Sequence, residues 1–125
     1  MAVVDDLGYD EVGWKNPLLK TPTIDALAKD GVILERHYAF HVCAPSRSAL
    51  FTGRIPAHVN QYNFGAIDLE FTLMPQLLKK AGYRTALAGK WGVGDAVLDH
   101  LPAMRGFDDS FAMLGVRADS STLSA

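Results

Sequence analysis

Five residues are of types that could do chemistry together: Asp5, Asp6, Cys43, Arg47 and Lys90. Asp5 and Asp6 are adjacent carboxylates that follow a short apolar run, Ala2-Val3-Val4. Such neighbours repel unless a cation or hydrogen bonds compensate them. At a strand end they would suit a hard, oxygen-loving cation such as Ca²⁺ or Mg²⁺. The plainer reading is a solvated loop or a helix cap, since Asp is mostly exposed. Cys43 is the single cysteine and can form no intramolecular disulfide. It stands in FHVCAPSRSALFTGR, residues 40–54, just where a helix should begin. The positive end of the helix dipole, with Arg47 four positions on, would favour a thiolate or any anion held there. A buried structural cysteine is the competing reading. Lys90 lies in GKWGVG, where a glycine-flanked lysine could hold an oxyanion as a point charge. This is no P-loop, because the glycine spacing is wrong and no Ser or Thr follows the lysine.

Other chemistries find less support. His37, His41, His58 and His100 show no metal-ligand spacing, and His37 and His41 lack the third ligand of a zincin. No Gly-x-Ser-x-Gly elbow is present.

The elements that must position these residues read as an alternation of strands and helices. Ala2–Val4 reads as the end of a buried strand, and DLGYDEVGWKNPLLKTP, residues 6–22, as a loop punctuated by Gly8, Gly13 and Asn16-Pro17. TPTIDALAKDGV predicts a helix with Thr21 as N-cap, Pro22 at its first position and Gly31 as its stop. VILERHYAF, residues 32–40, reads as a strand. A second helix is expected from about Pro45 to Thr52, with Gly53 ending it. A third should run from about Thr72 to the Gly82 cap, followed by a strand in YRTALAG that delivers Lys90. Beyond Trp91 the glycines and Pro102 predict irregular structure, and the small polar end, RADSSTLSA, a loop or tail. The alternation implies an α/β fold with a mostly parallel sheet. Ligands gather at the carboxyl ends of such strands, where Asp5, Asp6 and Lys90 are placed.

The bulk properties narrow the function classes. The 125 residues fit one domain, with 49% apolar and 21% charged residues. A net charge of −2 with scattered Lys and Arg argues against a nucleic-acid partner. No run reaches the roughly 18 apolar residues of a membrane span. No secretory leader pattern and no Asn-x-Ser/Thr acceptor is present.

Against that background CAPSRSALFTGR resembles the sulfatase signature, Cys-x-Pro-Ser-Arg followed by Leu-x-Thr-Gly. Four further segments are similar to sulfatases of the arylsulfatase B-like kind, in order: DDLGYDEVG, TPTIDALAKDGV, MPQLLKKAGYRTALAGKW and LPAMRGFDDSFAMLG. The resemblance implies the N-terminal part of an alkaline-phosphatase-like sulfatase domain: an incomplete α/β unit, a mostly parallel sheet flanked by helices. Residues 1–125 are then expected to be a portion truncated at both ends.

The resemblance also implies an activity, the hydrolysis of sulfuric esters. Cys43 would be oxidised to formylglycine by the formylglycine-generating enzyme. The hydrated aldehyde would attack the ester sulfur, release the alcohol, and then expel sulfate. Asp5, Asp6 and the modified Cys43 would ligate Ca²⁺ or another divalent cation. Arg47 would stabilise the ionised diol, and Lys90 would contact the sulfate and the nucleophile. The implied partner is a sulfated small molecule or carbohydrate. The implied location is the secretory pathway, the lysosome or the extracellular space.

Two departures bear on this reading. The family pattern is Gly-Lys-Trp-His-x-Gly, whereas Gly92 stands here in the histidine's place. General acid–base groups contribute about 10²–10⁴-fold, so turnover should suffer. Ca²⁺ takes about 6–8 oxygen ligands, more than Asp5, Asp6 and a modified Cys43 supply. A lone portion should therefore bind metal poorly, be close to inactive, and expose sheet edge and apolar surface. The alternatives are a phosphonate or phosphate ester hydrolase of the same superfamily and a non-catalytic, degenerate module. A cysteine hydrolase with His41 as base is the remotest.

Overall fold

The computed structural model describes residues 1–59 and 65–115. The chain forms two compact units, Met1–Tyr38 and Ala39–Ala125.

The first unit is mostly turns around one helix, α1 (Pro22–Asp30). Pro22 opens it with its φ already suited to a helix, and Asp25 and Lys29 complement the dipole at its two ends. Thr21 stands at the N-cap, but its hydroxyl is used elsewhere. Its Oγ1 accepts from the Gly13 amide at 2.8 Å and donates to Asp25 Oδ1 at 2.8 Å, tying the preceding loop to the helix. Lys15 Nζ donates to the Tyr9 hydroxyl at 2.8 Å and to Glu35 at 3.1 Å, joining two more turns. α1 buries none of its residues, and its apolar Ile24 and Leu27 are exposed.

Two expected strands are absent from this part of the chain. Residues 2–4 form no strand, and Val3 and Val4 are more than half exposed. Residues 32–40 contain a turn at Glu35–Arg36 and are exposed throughout. β-branched residues favour a strand only where a neighbour takes up the backbone hydrogen bonds, and among the described residues neither segment has one.

The second unit carries α2 (Cys43–Thr52), a 3-10 turn at Pro56–Val59, α3 (Met74–Lys80), β1 (Ala86–Lys90), a 3-10 turn at Leu98–His100, and β2 (Asp109–Met113). β1 and β2 form a parallel pair in the register Ala86↔Asp109 to Lys90↔Met113. This is the partial α/β architecture expected, although β2 falls where the sequence predicts irregular structure. The tail from residue 116 onward lies outside the described residues.

α3 is closed at both ends by local chemistry. The Gln76 side chain accepts the Leu73 amide at 2.7 Å, satisfying one orphan donor. At the far end Gly82 takes a φ of 87°. The Gly82 amide donates to the Lys79 carbonyl at 3.0 Å and the Tyr83 amide to the Leu78 carbonyl at 3.1 Å, a paired closure that needs a left-handed residue.

The core of this unit is Phe51, Val59, Ile67, Leu73, Trp91, Val93 and Phe107. Burying a side chain of this kind contributes roughly 1.5–3 kcal/mol. Its centre is aromatic. Phe51 and Trp91 lie 5.1 Å apart, and Trp91 meets Phe107 edge-on at 6.0 Å. The buried Arg105 guanidinium donates to the carbonyls of Asp68, Leu69 and Phe71 and holds that loop against the core. Burial lowers its pKa from the usual value.

Candidate active site

α2 begins at Cys43, two residues before the expected start, with Val42 as an extended N-cap. The approach is fixed by Ser46, which the sequence reading did not single out. Its hydroxyl sits 2.9 Å from the Val42 carbonyl and 3.1 Å from that of Phe40, placed to donate to either. Cys43 is thereby the first helical residue. Its thiol is free and half-buried.

The buried positions of α2 include Ala44, Arg47, Ser48 and Phe51. That is the i, i+3, i+4, i+7 stripe of a helix facing a core. An arginine on such a stripe is costly unless its donors are satisfied. Arg47 is only 8% exposed, and its Nη1 donates to the Lys90 carbonyl at 2.7 Å. Ser48 on the same stripe settles its own hydroxyl on the Pro45 carbonyl at 2.9 Å.

Lys90 is the last residue of β1, at the carboxyl end of the strand as expected. The chain beyond it is held closely. The Trp91 amide donates to the Met113 carbonyl at 2.8 Å and the Gly92 amide to that of Leu114 at 3.1 Å, continuing the β1–β2 ladder. Trp91 Nε1 donates to the Gly94 carbonyl at 2.8 Å and lies 3.1 Å from that of His100. The Trp91 ring, wedged between Phe51 of α2 and Phe107, locks helix and strand end together.

Gly92 has a φ of 66°, in the left-handed region. A Cβ at this position would stand 3.6 Å from Lys90 Cε and 3.8 Å from Arg47 Cδ, with nothing nearer among the described residues outside its own chain neighbours. Position 92 thus lies at ordinary packing distance from the aliphatic stems of the two cationic side chains.

Asp5 and Asp6 belong to the first unit and are exposed. Asp6 has a φ of 56°, left-handed backbone that Asp tolerates better than most residues. Their oxygens fit a hard cation in kind. They fall short in number, since no group of three or more His, Cys, Asp or Glu side chains forms a metal-holding cluster among the described residues. Two carboxylates can be part of a shell and no more.

The chain as a whole has counterparts among known proteins. A family model described as Sulfatase matches residues 2–122. This chain belongs to the sulfatase family. Arylsulfatase J of Mus musculus is 39% identical over 119 residues, covering 90% of this chain and 20% of that protein. N-acetylgalactosamine-6-sulfatase of Homo sapiens is 35% identical over 127 residues, covering 89% of this chain and 24% of that protein. Among solved structures, the PsFucS1 sulfatase from Pseudoalteromonas sp. superposes with a TM-score of 0.78 at 36% identity, covering 92% of this chain and 25% of that one. Ps i-CgsB in complex with k-i-k-neocarrahexaose gives 0.81 at 37% identity, covering 89% and 26%. This sulfatase chain thus spans about a fifth to a quarter of the relatives it matches. Among the described residues no helix is long and apolar enough to cross a membrane.

Proposed function

We propose that this sulfatase chain carries the nucleophile segment of a sulfuric ester hydrolase that works through formylglycine derived from Cys43. The observation that supports this most is the Arg47–Lys90 contact. It ties α2, whose first residue is the half-buried Cys43, to the end of β1 through an arginine one turn further along the helix. The hydrated aldehyde at position 43 would supply the nucleophilic oxygen for the ester sulfur and a second hydroxyl through which sulfate could be released. Arg47 favours the ionised hydroxyl by its fixed charge in a partly desolvated place, and Lys90 supplies a second positive charge to the transferred group.

A divalent cation, Ca²⁺ by preference, would be held in part by Asp5 and Asp6. It would supply charge neutralisation for the sulfate group. The proposed substrate class is a sulfated carbohydrate or small molecule.

Co-expression with a formylglycine-generating enzyme, followed by mass spectrometry of the Cys43 peptide, tests the reading. The expected product is a peptide in which an aldehyde has replaced the thiol. Recovery of the unmodified thiol alone would remove the nucleophile and the proposal with it. One observation favours a binding role without turnover: no side chain at position 92 can relay a proton. A fully converted Cys43 that hydrolyses no 4-nitrophenyl sulfate in the presence of Ca²⁺ would establish that second reading.

A further inference from the structure

We propose that Ser46 is the positioning residue of the nucleophile. Its hydroxyl, within reach of the Phe40 and Val42 carbonyls, decides between two possible starts of α2 and keeps residue 43 inside the helix. The inference rests on the reading of Cys43 as the source of the nucleophile.

The two starts are Cys43 and Pro45. Proline favours the second, because its fixed φ and missing N–H suit the first helical position. A start at Cys43 makes Ala44 helical, a conformation that the ring of a following proline disfavours. Capping does not redress the balance. The cap would be Val42 for one start and Ala44 for the other, both poor caps, and Val42 makes no side-chain cap bond. The backbone adds little, since the Ser46 amide reaches the Val42 carbonyl only at 3.3 Å, beyond the usual range of about 2.7–3.2 Å. Yet α2 begins at Cys43.

Two contributions remain. Ala44 is fully buried, but it offers the core a single methyl group. The Ser46 hydroxyl does more. Its Oγ lies 2.9 Å from the Val42 carbonyl oxygen and so closes the turn that the long amide bond closes weakly. It also lies 3.1 Å from the Phe40 carbonyl oxygen, which folds the approaching chain back onto that turn. The one hydroxyl proton serves either carbonyl in turn, and both bonds favour the earlier start. The start matters for the chemistry. With residue 43 in the helix, positions 43 and 47 are neighbours on one face. With the start at Pro45 that relation lapses, and the nucleophile is no longer set against Arg47.

Backbone chemical shifts of the thiol form test this, so the outcome does not depend on conversion of Cys43 to the aldehyde. The Cys43 ¹³Cα shift should lie on the helical side of its random-coil value. Ser46→Ala should move it to the extended side while residues 48–52 stay helical. Alanine has the higher helix propensity, so a general effect on the helix would run the other way. Ser46→Thr keeps a hydroxyl that can bond the same carbonyl and should preserve the helical value. Adding Pro45→Ala to Ser46→Ala removes the conflict at Ala44 and should return residue 43 to the helical side. Ser48→Ala is the control, because that hydroxyl bonds the Pro45 carbonyl within the helix, and it should leave residue 43 helical. A helical Cys43 shift in Ser46→Ala overturns the role of Ser46. An extended value in the unaltered chain or in Ser46→Thr does the same, which keeps the test decisive if Ser46→Ala does not fold. Failure of Cys43 to be converted would remove the nucleophile and leave these shifts as they are, so the two readings fail separately.

Discussion

Arg47 Nη1 donates to the carbonyl oxygen of Lys90 at 2.7 Å, across 43 positions of sequence. This one bond couples the helix that starts at the cysteine to the strand that ends at the lysine. Arg47→Met keeps most of the stem and deletes the donor. Leaving the Lys90 carbonyl unsatisfied should cost about 1–3 kcal/mol, read as a lower urea midpoint, and should abolish sulfate binding. Arg47→Lys should recover only part of either, because an ammonium lacks the planar fork. Wild-type sulfate affinity in Arg47→Met would contradict the role assigned to the guanidinium.

Gly106 should be intolerant of any side chain. Its φ is 100°, and a Cβ there would lie 2.5 Å from the Gln76 backbone nitrogen, in the first turn of α3. Backbone cannot move aside as a flexible side chain can. Gly106→Ala should therefore destabilise by about 3 kcal/mol or more, strain and overpacking together. Gly53→Ala meets no atom of the described residues within 4 Å and should cost only the left-handed penalty, about 1–2 kcal/mol. Thermal unfolding of the two variants side by side checks the difference. Equal losses would mean that the approach of Gly106 to α3 is looser than it stands here.

Asp108 ties the end of α3 to the start of β1. Its carboxylate accepts from Lys79 Nζ at 2.6 Å and from the Thr85 amide at 2.9 Å. The lysine first, then the Thr85 amide and hydroxyl, hold its pKa at about 2, below the usual 3.8. A depressed carboxylate stabilises the fold fully above its unfolded pKa, and that contribution is lost as pH falls through the folded value. Unfolding midpoints should therefore drop between about pH 4 and pH 2, and Asp108→Asn should flatten this part of the profile. The contrast should shrink at high salt, since the pair is at the surface. An identical acid profile in the variant would show that other carboxylates dominate.

Arg105→Leu removes the donor that satisfies the carbonyls of Asp68, Leu69 and Phe71. The expected loss is about 3 kcal/mol, the scale of a buried charged hydrogen-bonding group. Amide exchange should quicken first in the loop before α3. Uniform quickening across the unit would instead indicate a purely global effect.

The helices are legible in the sequence because their signals are local. Pro22, Pro75 and the glycines at 53 and 82 mark starts and stops by backbone chemistry that needs no partner. Strands are another matter. Val3-Val4 and residues 32–40 have the right residue types but no neighbour among the described residues, whereas β2, Asp-Ser-Phe-Ala-Met, carries no β-branched residue and still pairs. Its place is set from far away, by the Trp91 and Gly92 amides at one end and by Thr85 at the other, whose carbonyl accepts the Asp108 and Asp109 amides. Of the proposed site, Cys43 and Arg47 stand out in the sequence by their spacing and Lys90 by its flanking glycine. Ser46 is hidden because a serine inside a helix has many uses. The burial of Arg47 was in fact readable, as an arginine standing on the apolar stripe with Ala44 and Phe51.

The closure at Gly82 has a consequence for how this stretch of chain can diverge. It fixes where α3 stops, and the Thr85–Asp108 contacts fix where β1 starts, so the distance from turn to lysine is measured out like notches on a ruler. Successive side chains in a strand point to opposite faces. An insertion or deletion of one residue between Gly82 and Lys90 would therefore turn the ammonium to the wrong side of the sheet, even if every helix survived. Variation in length should be purged from this interval more severely than variation in residue type.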